Sequence, residues 1–353
     1  MREFGSEHPA IVLPDGYFDS YERYGREVNY FRTGREALLY VAYNCKPEKR
    51  AIILCPAFSC WSMIAPFEFA GWTIEYYRLN DDLTIDEEYL LDLLNYSRPS
   101  AILTMNYFGS ASTKKAISMA KATNYQINVI EDFTHCTFSL GQIYDEQVDF
   151  YVTSIRKSIG VCDGAAVISK RFTDKSFIGN DAPDFGELRL EAQKLKGRYS
   201  FTKSSDDKET FLSELKRGED MISTLDAVHP MSEISKRMLE SINGEEIASA
   251  RRENMKHLWS LLNGKVRMID GIERCFNGAP FSLPILVNNR DEVQLELAKK
   301  GVYAPVLWPI DDKCKRVCDV STMISEQILS LPIDQRYSYD DIEDIASIVL
   351  ATV

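Results

Sequence analysis

The chain has 353 residues, 45% of them hydrophobic, which is enough for a large core and a smaller second unit. Its formal net charge is -12 with no basic run, which excludes a nucleic-acid partner, because phosphate neutralisation needs clustered Lys and Arg. The longest apolar runs, such as 51–55, have strand length, the N-terminus carries no signal-peptide pattern, and the eight cysteines are scattered. A cytoplasmic protein with reduced thiols is expected, without a membrane span. Cys314 and Cys318 have a Cys-x3-Cys spacing with no second pair nearby, so no metal site is expected.

Residues 34–44 read as a helix, with Ala37, Leu38 and Val41 on one face. An apolar strand follows at 51–55, stopped by Pro56, then a helix at 59–70 despite Pro66, and a strand at 73–79. Asp86 caps a helix over 86–94. A strand at 101–107, a helix at 112–122 and short strands at 127–131, 148–153 and 165–169 complete the alternation. Strands alternating with helices predict an α/β fold, with a mostly parallel sheet flanked by helices on both faces. Residues 172–228 are charged and read as helices and mobile surface, and 232–262 as helix with a break near Asn243-Gly244. A smaller α/β unit follows: a strand at 280–287, a helix at 291–300 capped by Asp291 and ended by Gly301, a strand at 302–307 and a closing helix at 338–349. The expected division is an N-terminal arm over 1–30, a large domain over 31–230, and a linking helix with a small C-terminal domain over 231–353.

Two strand ends carry the chemistry. The apolar run 127–130 passes into Glu131-Asp132, and the run 148–153 passes into Ser154-Ile155-Arg156-Lys157. In a parallel sheet both ends open on the rim where ligands collect. A lysine amine whose proton is lost attacks a carbonyl and forms an imine. A carboxylate beside a pyridine nitrogen holds that nitrogen protonated. Together they are the groups that pyridoxal 5'-phosphate chemistry needs, although each alone also reads as an ordinary surface lysine or turn aspartate. Thr33-Gly34-Arg35 opens the first helix, where free N–H groups suit a phosphate, and Ser154 could add a hydroxyl. His135 and Asn106 sit beyond strand ends on the same rim, each also readable as packing.

These residues, with Pro56-Ala57-Phe58-Ser59-Cys60, Asn106-Tyr107-Phe108-Gly109, Glu131-Asp132-x-x-His135, Ser154-x-x-Lys157, the run 301–309 and the run 331–337, resemble the DegT/DnrJ/EryC1/StrS family. Its members are fold-type-I pyridoxal-phosphate aminotransferases, many acting on nucleotide-linked keto-sugars. The resemblance covers nearly the whole chain after residue 30. It implies that Lys157 binds the cofactor covalently, that Asp132 pairs with its ring nitrogen, that Thr33, Gly34, Arg35 and Ser154 hold its phosphate, and that His135 lies beside the ring. It also implies a homodimer, a small amino donor such as glutamate and a keto acceptor, plausibly a keto-sugar in polysaccharide or secondary-metabolite biosynthesis. The chain departs from the family in a Ser-to-Lys loop two residues shorter, in Asp163-Gly164-Ala165 for an acidic-Gly-Gly turn, and in Cys60, with Trp61 beside it, where many members stack an aromatic on the ring. A divergent branch is implied. Another pyridoxal-phosphate reaction, such as elimination, and a non-catalytic binding module on the same scaffold stay open.

Overall fold

The computed structural model describes residues 2–11, 18, 21–110 and 112–353. Part of the expected arm over 1–30, namely 1, 12–17 and 19–20, thus lies outside the described residues. Eleven strands occur among those described: β1 (Phe4–Gly5), β2 (Glu27–Phe31), β3 (Ile52–Pro56), β4 (Thr73–Tyr77), β5 (Ala101–Met105), β6 (Asn128–Asp132), β7 (Phe150–Thr153), β8 (Ala165–Ser169), β9 (Ser282–Leu286), β10 (Val302–Tyr303) and β11 (Ile328–Pro332).

The centre is a seven-stranded sheet in the order β2-β8-β7-β6-β5-β3-β4. The five strands β4, β3, β5, β6 and β7 run parallel, while β8 is antiparallel to both β7 and β2. β3, β5, β7 and β8 are buried along their whole length, because helices cover both faces, and their sequences are accordingly almost unbroken apolar runs. The first helices are α1 (Gly34–Cys45), α2 (Trp61–Phe69), α3 (Glu87–Ser97), α4 (Lys114–Thr123) and α5 (Leu140–Ile143). α1 packs over β7 and β8 and against α2, which sets its first turn beside the end of β7.

A helical hairpin, α6 (Pro183–Thr202) and α7 (Ser205–Met221), occupies the charged stretch. α8 (Glu233–Glu240) and α9 (Gly244–Leu262) follow, separated at Asn243, whose side chain caps α9 by accepting from the N–H groups of Glu245 and Glu246. Beyond them β9 and β11 pair antiparallel, and β1 pairs parallel with β10. The closing helices are α10 (Arg290–Lys299), α11 (Asp312–Val317), α12 (Asp319–Gln327) and α13 (Tyr339–Leu350), the last opened by a capping box between Ser338 and Asp341. Among the described residues no helix is long and apolar enough to cross a membrane, and no group of side chains could hold a metal ion.

Two expectations need correction, and one strand stands where none was expected. β2 was not foreseen, since Glu27 and Asn29 interrupt the apolar pattern of a half-covered edge strand. The strand over 302–307 ends at Tyr303, because Pro305 has no N–H to donate and its carbonyl instead accepts from the N–H of Ser330 at 3.0 Å. Asp291 is not the cap of α10: Asn289, at φ 50°, opens that helix, and the Asp291 carboxylate accepts from Arg290 Nε at 2.8 Å. The stretch 172–228 carries two long helices, in keeping with the helical part of its reading.

Candidate active site

β6 and β7 are neighbours, with Asp132 opposite Val152, so both strands end at one level of the rim. Asp132 is the last residue of β6; Ser154 follows β7 and leads into a short 3-10 turn, Ile155–Lys157. The two ends are tied together by the Ser154 N–H, which donates to Thr134 Oγ1 at 3.0 Å. α1 starts against them. Thr33 caps it by accepting from the Glu36 N–H at 3.3 Å, while its hydroxyl donates to Glu36 at 2.7 Å. A Cβ on Gly34 would stand 3.1 Å from Ser154 Cβ, tighter than ordinary contact, so glycine is what lets this helix end approach the strand.

A cavity of about 200 Å³ lies between these elements. Thr33, Gly34, Arg35 and Ser154 line one side, and Cys60, Asp132, His135 and Lys157 also contribute to its walls. Lys157 is exposed and stands where this cavity meets a larger one of about 720 Å³, whose lining it shares. The larger cavity is walled by the segment Gly5–His8, by Ser282 and Ser330 of the C-terminal sheet, and by Arg336 beyond β11.

Burial governs the electrostatics. It pushes the Asp132 carboxyl above its ordinary value, against hydrogen bonds from Thr134 and the positive charge of Lys157. The Thr134 N–H donates to Asp132 Oδ1 at 2.8 Å, which fixes the carboxylate plane. Burial pushes His135 down to about 3, and Lys157 pushes in the same direction, so the imidazole is neutral at physiological pH. The His135 ring is stacked on Phe281, with centroids 5.4 Å apart, and on Trp308 at 5.3 Å. Its Nδ1 is buried and has no partner among the described residues.

Two of the residues named from the sequence stand elsewhere. Asn106 is fully buried but does not line the cavity; its amide donates to Glu131 Oε1 at 3.1 Å, behind the strand ends. Trp61 is 59% exposed and lies outside the lining, with the Arg35 guanidinium 5.6 Å from its ring. Among the wall residues not assigned to the cofactor site from the sequence are Trp308, Arg156 and Glu219. Trp308 arrives from the segment after β10, Arg156 belongs to the lysine turn, and Glu219 reaches in from α7. Arg198, paired with Asp207, and Tyr199, which donates to Glu3 at 3.0 Å, line neither of the two cavities. Arg336 lines the larger cavity and is bound by the Asp334 carboxylate at 2.6 and 2.8 Å.

No family model and no curated protein sequence matches the chain. Solved structures do. It superposes on the Helicobacter pylori aminotransferase PseC, involved in the biosynthesis of pseudoaminic acid, with a TM-score of 0.68 at 15% identity over 99% of both chains. A sugar aminotransferase from Streptococcus pneumoniae, Spr1654, matches at 0.64 with 13% identity, over 99% of this chain and 97% of that one. A DegT/DnrJ/EryC1/StrS aminotransferase from Brucella abortus matches at 0.62 with 17% identity, over 93% of this chain and 87% of that one. The chain has the fold of these aminotransferases. The fold-type-I architecture expected from the motifs is therefore present from end to end, at identities that speak for the fold alone.

Proposed function

We propose that this chain is a pyridoxal-phosphate-dependent aminotransferase that moves an amino group from an amino acid, with glutamate the expected donor, to a keto-substrate of the sugar class. The observation that carries the reading is the meeting of Lys157, Asp132, Ser154 and the first turn of α1 around one cavity, from four separate places in the sequence. The residues present fit that cofactor on three counts. A buried carboxyl ends β6, the Gly34 contact keeps a helix N-terminus open toward Ser154, and a buried His135 nitrogen lacks a partner among the described residues. The sugar class rests on the description of Spr1654 as a sugar aminotransferase, joined to the shared fold.

When bound, pyridoxal phosphate supplies an aldehyde that exchanges amines and a ring that draws electrons from the adjoining carbon. Lys157 would hold the aldehyde end and, as the base beside the donor's α-carbon, would move the proton there, a placement that supplies rate through proximity. Asp132, whose carboxyl burial raises, would hold a proton at the ring nitrogen, and the positive ring would in turn favour the carboxylate. Ser154 and the α1 N-terminus orient the phosphate. His135, neutral and held in place by its ring contacts with Phe281 and Trp308, would lie beside the cofactor without a competing charge.

The test starts from purified protein titrated with pyridoxal phosphate and reduced with borohydride. Wild type should retain the cofactor covalently and Lys157→Ala should not; retention in the variant removes the assigned role. Stoichiometric conversion of bound cofactor to its amine form by glutamate separates a transaminase from an eliminating enzyme, which need not carry it out. No spectral change with any amino donor points instead to a binding module.

We also infer a homodimer. Trp61 exposes most of its indole beside Cys60 and Arg35 at the edge of the cavity, and a second copy covering that rim would bury it.

A further inference from the structure

The turn Ile155–Lys157 sends two adjacent basic side chains to the same cavity, and only one of them has been given work. Arg156 lines the cavity beside Arg35, Ser154 and the start of α1. Its side chain is 14% exposed, and its two terminal nitrogens are taken by Glu219, at 3.0 and 3.5 Å. Its Nε is buried and finds no acceptor among the described residues. A buried N–H left unmade is costly, and an anion oxygen would relieve it.

Charge counting points the same way. Glu219 is shared, because Arg189 donates to the same carboxylate oxygen at 3.0 Å, with its other arm on Glu7 at 2.6 Å. Arg35, at the mouth of α1, contacts the face of Trp61. Its guanidinium is held below its ordinary value by burial and then by the like charge of Arg156. Arg35 and Arg156 thus line this end of the cavity together, while Glu219 divides its charge between Arg156 and Arg189, which leaves positive charge for a phosphate to meet.

We propose that Arg156 holds the cofactor phosphate, together with Arg35, Ser154 and the α1 N-terminus, and that Glu219 aims its guanidinium by gripping the far edge. This rests on the cofactor reading above. The Arg156–Glu219 contact then serves to orient Arg156, and α7 becomes part of the phosphate site although it lies far along the chain from the residues of the rim.

The experiment compares pyridoxal phosphate with pyridoxal, which lacks only the phosphate, by absorbance titration of the full-length protein. Wild type should prefer pyridoxal phosphate strongly. Arg156→Gln should lose roughly ten- to a hundredfold in affinity for pyridoxal phosphate, the worth of a charge-assisted contact, while pyridoxal affinity changes less than about threefold. Arg156→Lys should recover part of the preference, since it restores charge without the fork. Pyridoxal also serves as the folding control, and if Arg156→Gln does not fold, the comparison is made on Arg156→Lys alone, where a partial loss of preference is expected. An undiminished phosphate preference in the variant that folds, or equal losses for both ligands, overturns the role of Arg156 and leaves the cofactor reading standing. Wild type that binds neither ligand overturns the cofactor reading and this assignment together.

Discussion

Glu131 precedes the aspartate of the site and points the other way, into the sheet. It is fully buried; Thr113 donates to its Oε1 at 2.6 Å and Asn106 at 3.1 Å, while Oε2 has no partner among the described residues. Burial raises its carboxyl from 4.5 to about 7, and the bonds from Thr113 and Asn106 offset only part of that. A carboxyl raised in the fold favours the folded state below its unfolded value, and that advantage is lost as pH climbs through the folded value. Glu131→Gln removes the titration. Urea unfolding should therefore show the variant gaining on wild type by up to about 3 kcal/mol between pH 4.5 and 8, with most of the change complete by pH 7. A difference that stays flat over that range would mean that Glu131 titrates alike in both states.

Among the elements, α9 depends visibly on one residue. Asn243 Oδ1 accepts from two otherwise unpaired N–H groups, those of Glu245 at 3.1 Å and Glu246 at 3.2 Å. Asn243→Ala should cost about 1 kcal/mol in denaturant unfolding, and Asn243→Asp should be nearly neutral, since it keeps the acceptor. The break at this position is legible in the sequence because Asn-Gly is a poor helix interior and a good helix start. The alternating strands are legible for a similar reason: strands covered on both faces are written as unbroken apolar runs, and Asp132 and Ser154 mark where those runs stop. Arg156, Glu219 and Trp308 are not legible as cofactor-site residues. The direction of a side chain in a 3-10 turn does not follow from spacing, Glu219 depends on how the α6–α7 hairpin docks, and Trp308 sits in a stretch without regular period. Asn106 and Trp61 show the converse, since a place near a strand end or helix start does not decide which way a side chain turns.

At the scale of the whole molecule, the inferred dimer makes a prediction about the rim. Trp61 is 59% exposed, and an indole of that size is costly to leave in water when a second copy is at hand. Light scattering should give twice the mass of 40.3 kDa for wild type, and Trp61→Glu should shift the protein toward the monomer. A wild type that remains at the single-chain mass at high concentration removes the dimer.

The pairing of β1 with β10 joins Phe4 to Val302 and Gly5 to Tyr303. A ribosome delivers the chain from its N-terminus, and the seven-stranded sheet, complete by Ser169, can form while the later residues are still being made. Phe4 and Gly5 must wait for partners almost three hundred positions downstream. Because the neighbouring Ser6, Glu7 and His8 wall the larger cavity next to Lys157, that chamber is finished only after the strands β9, β10 and β11 have been made, and a nascent chain carries the reactive amine before it has a place to use it.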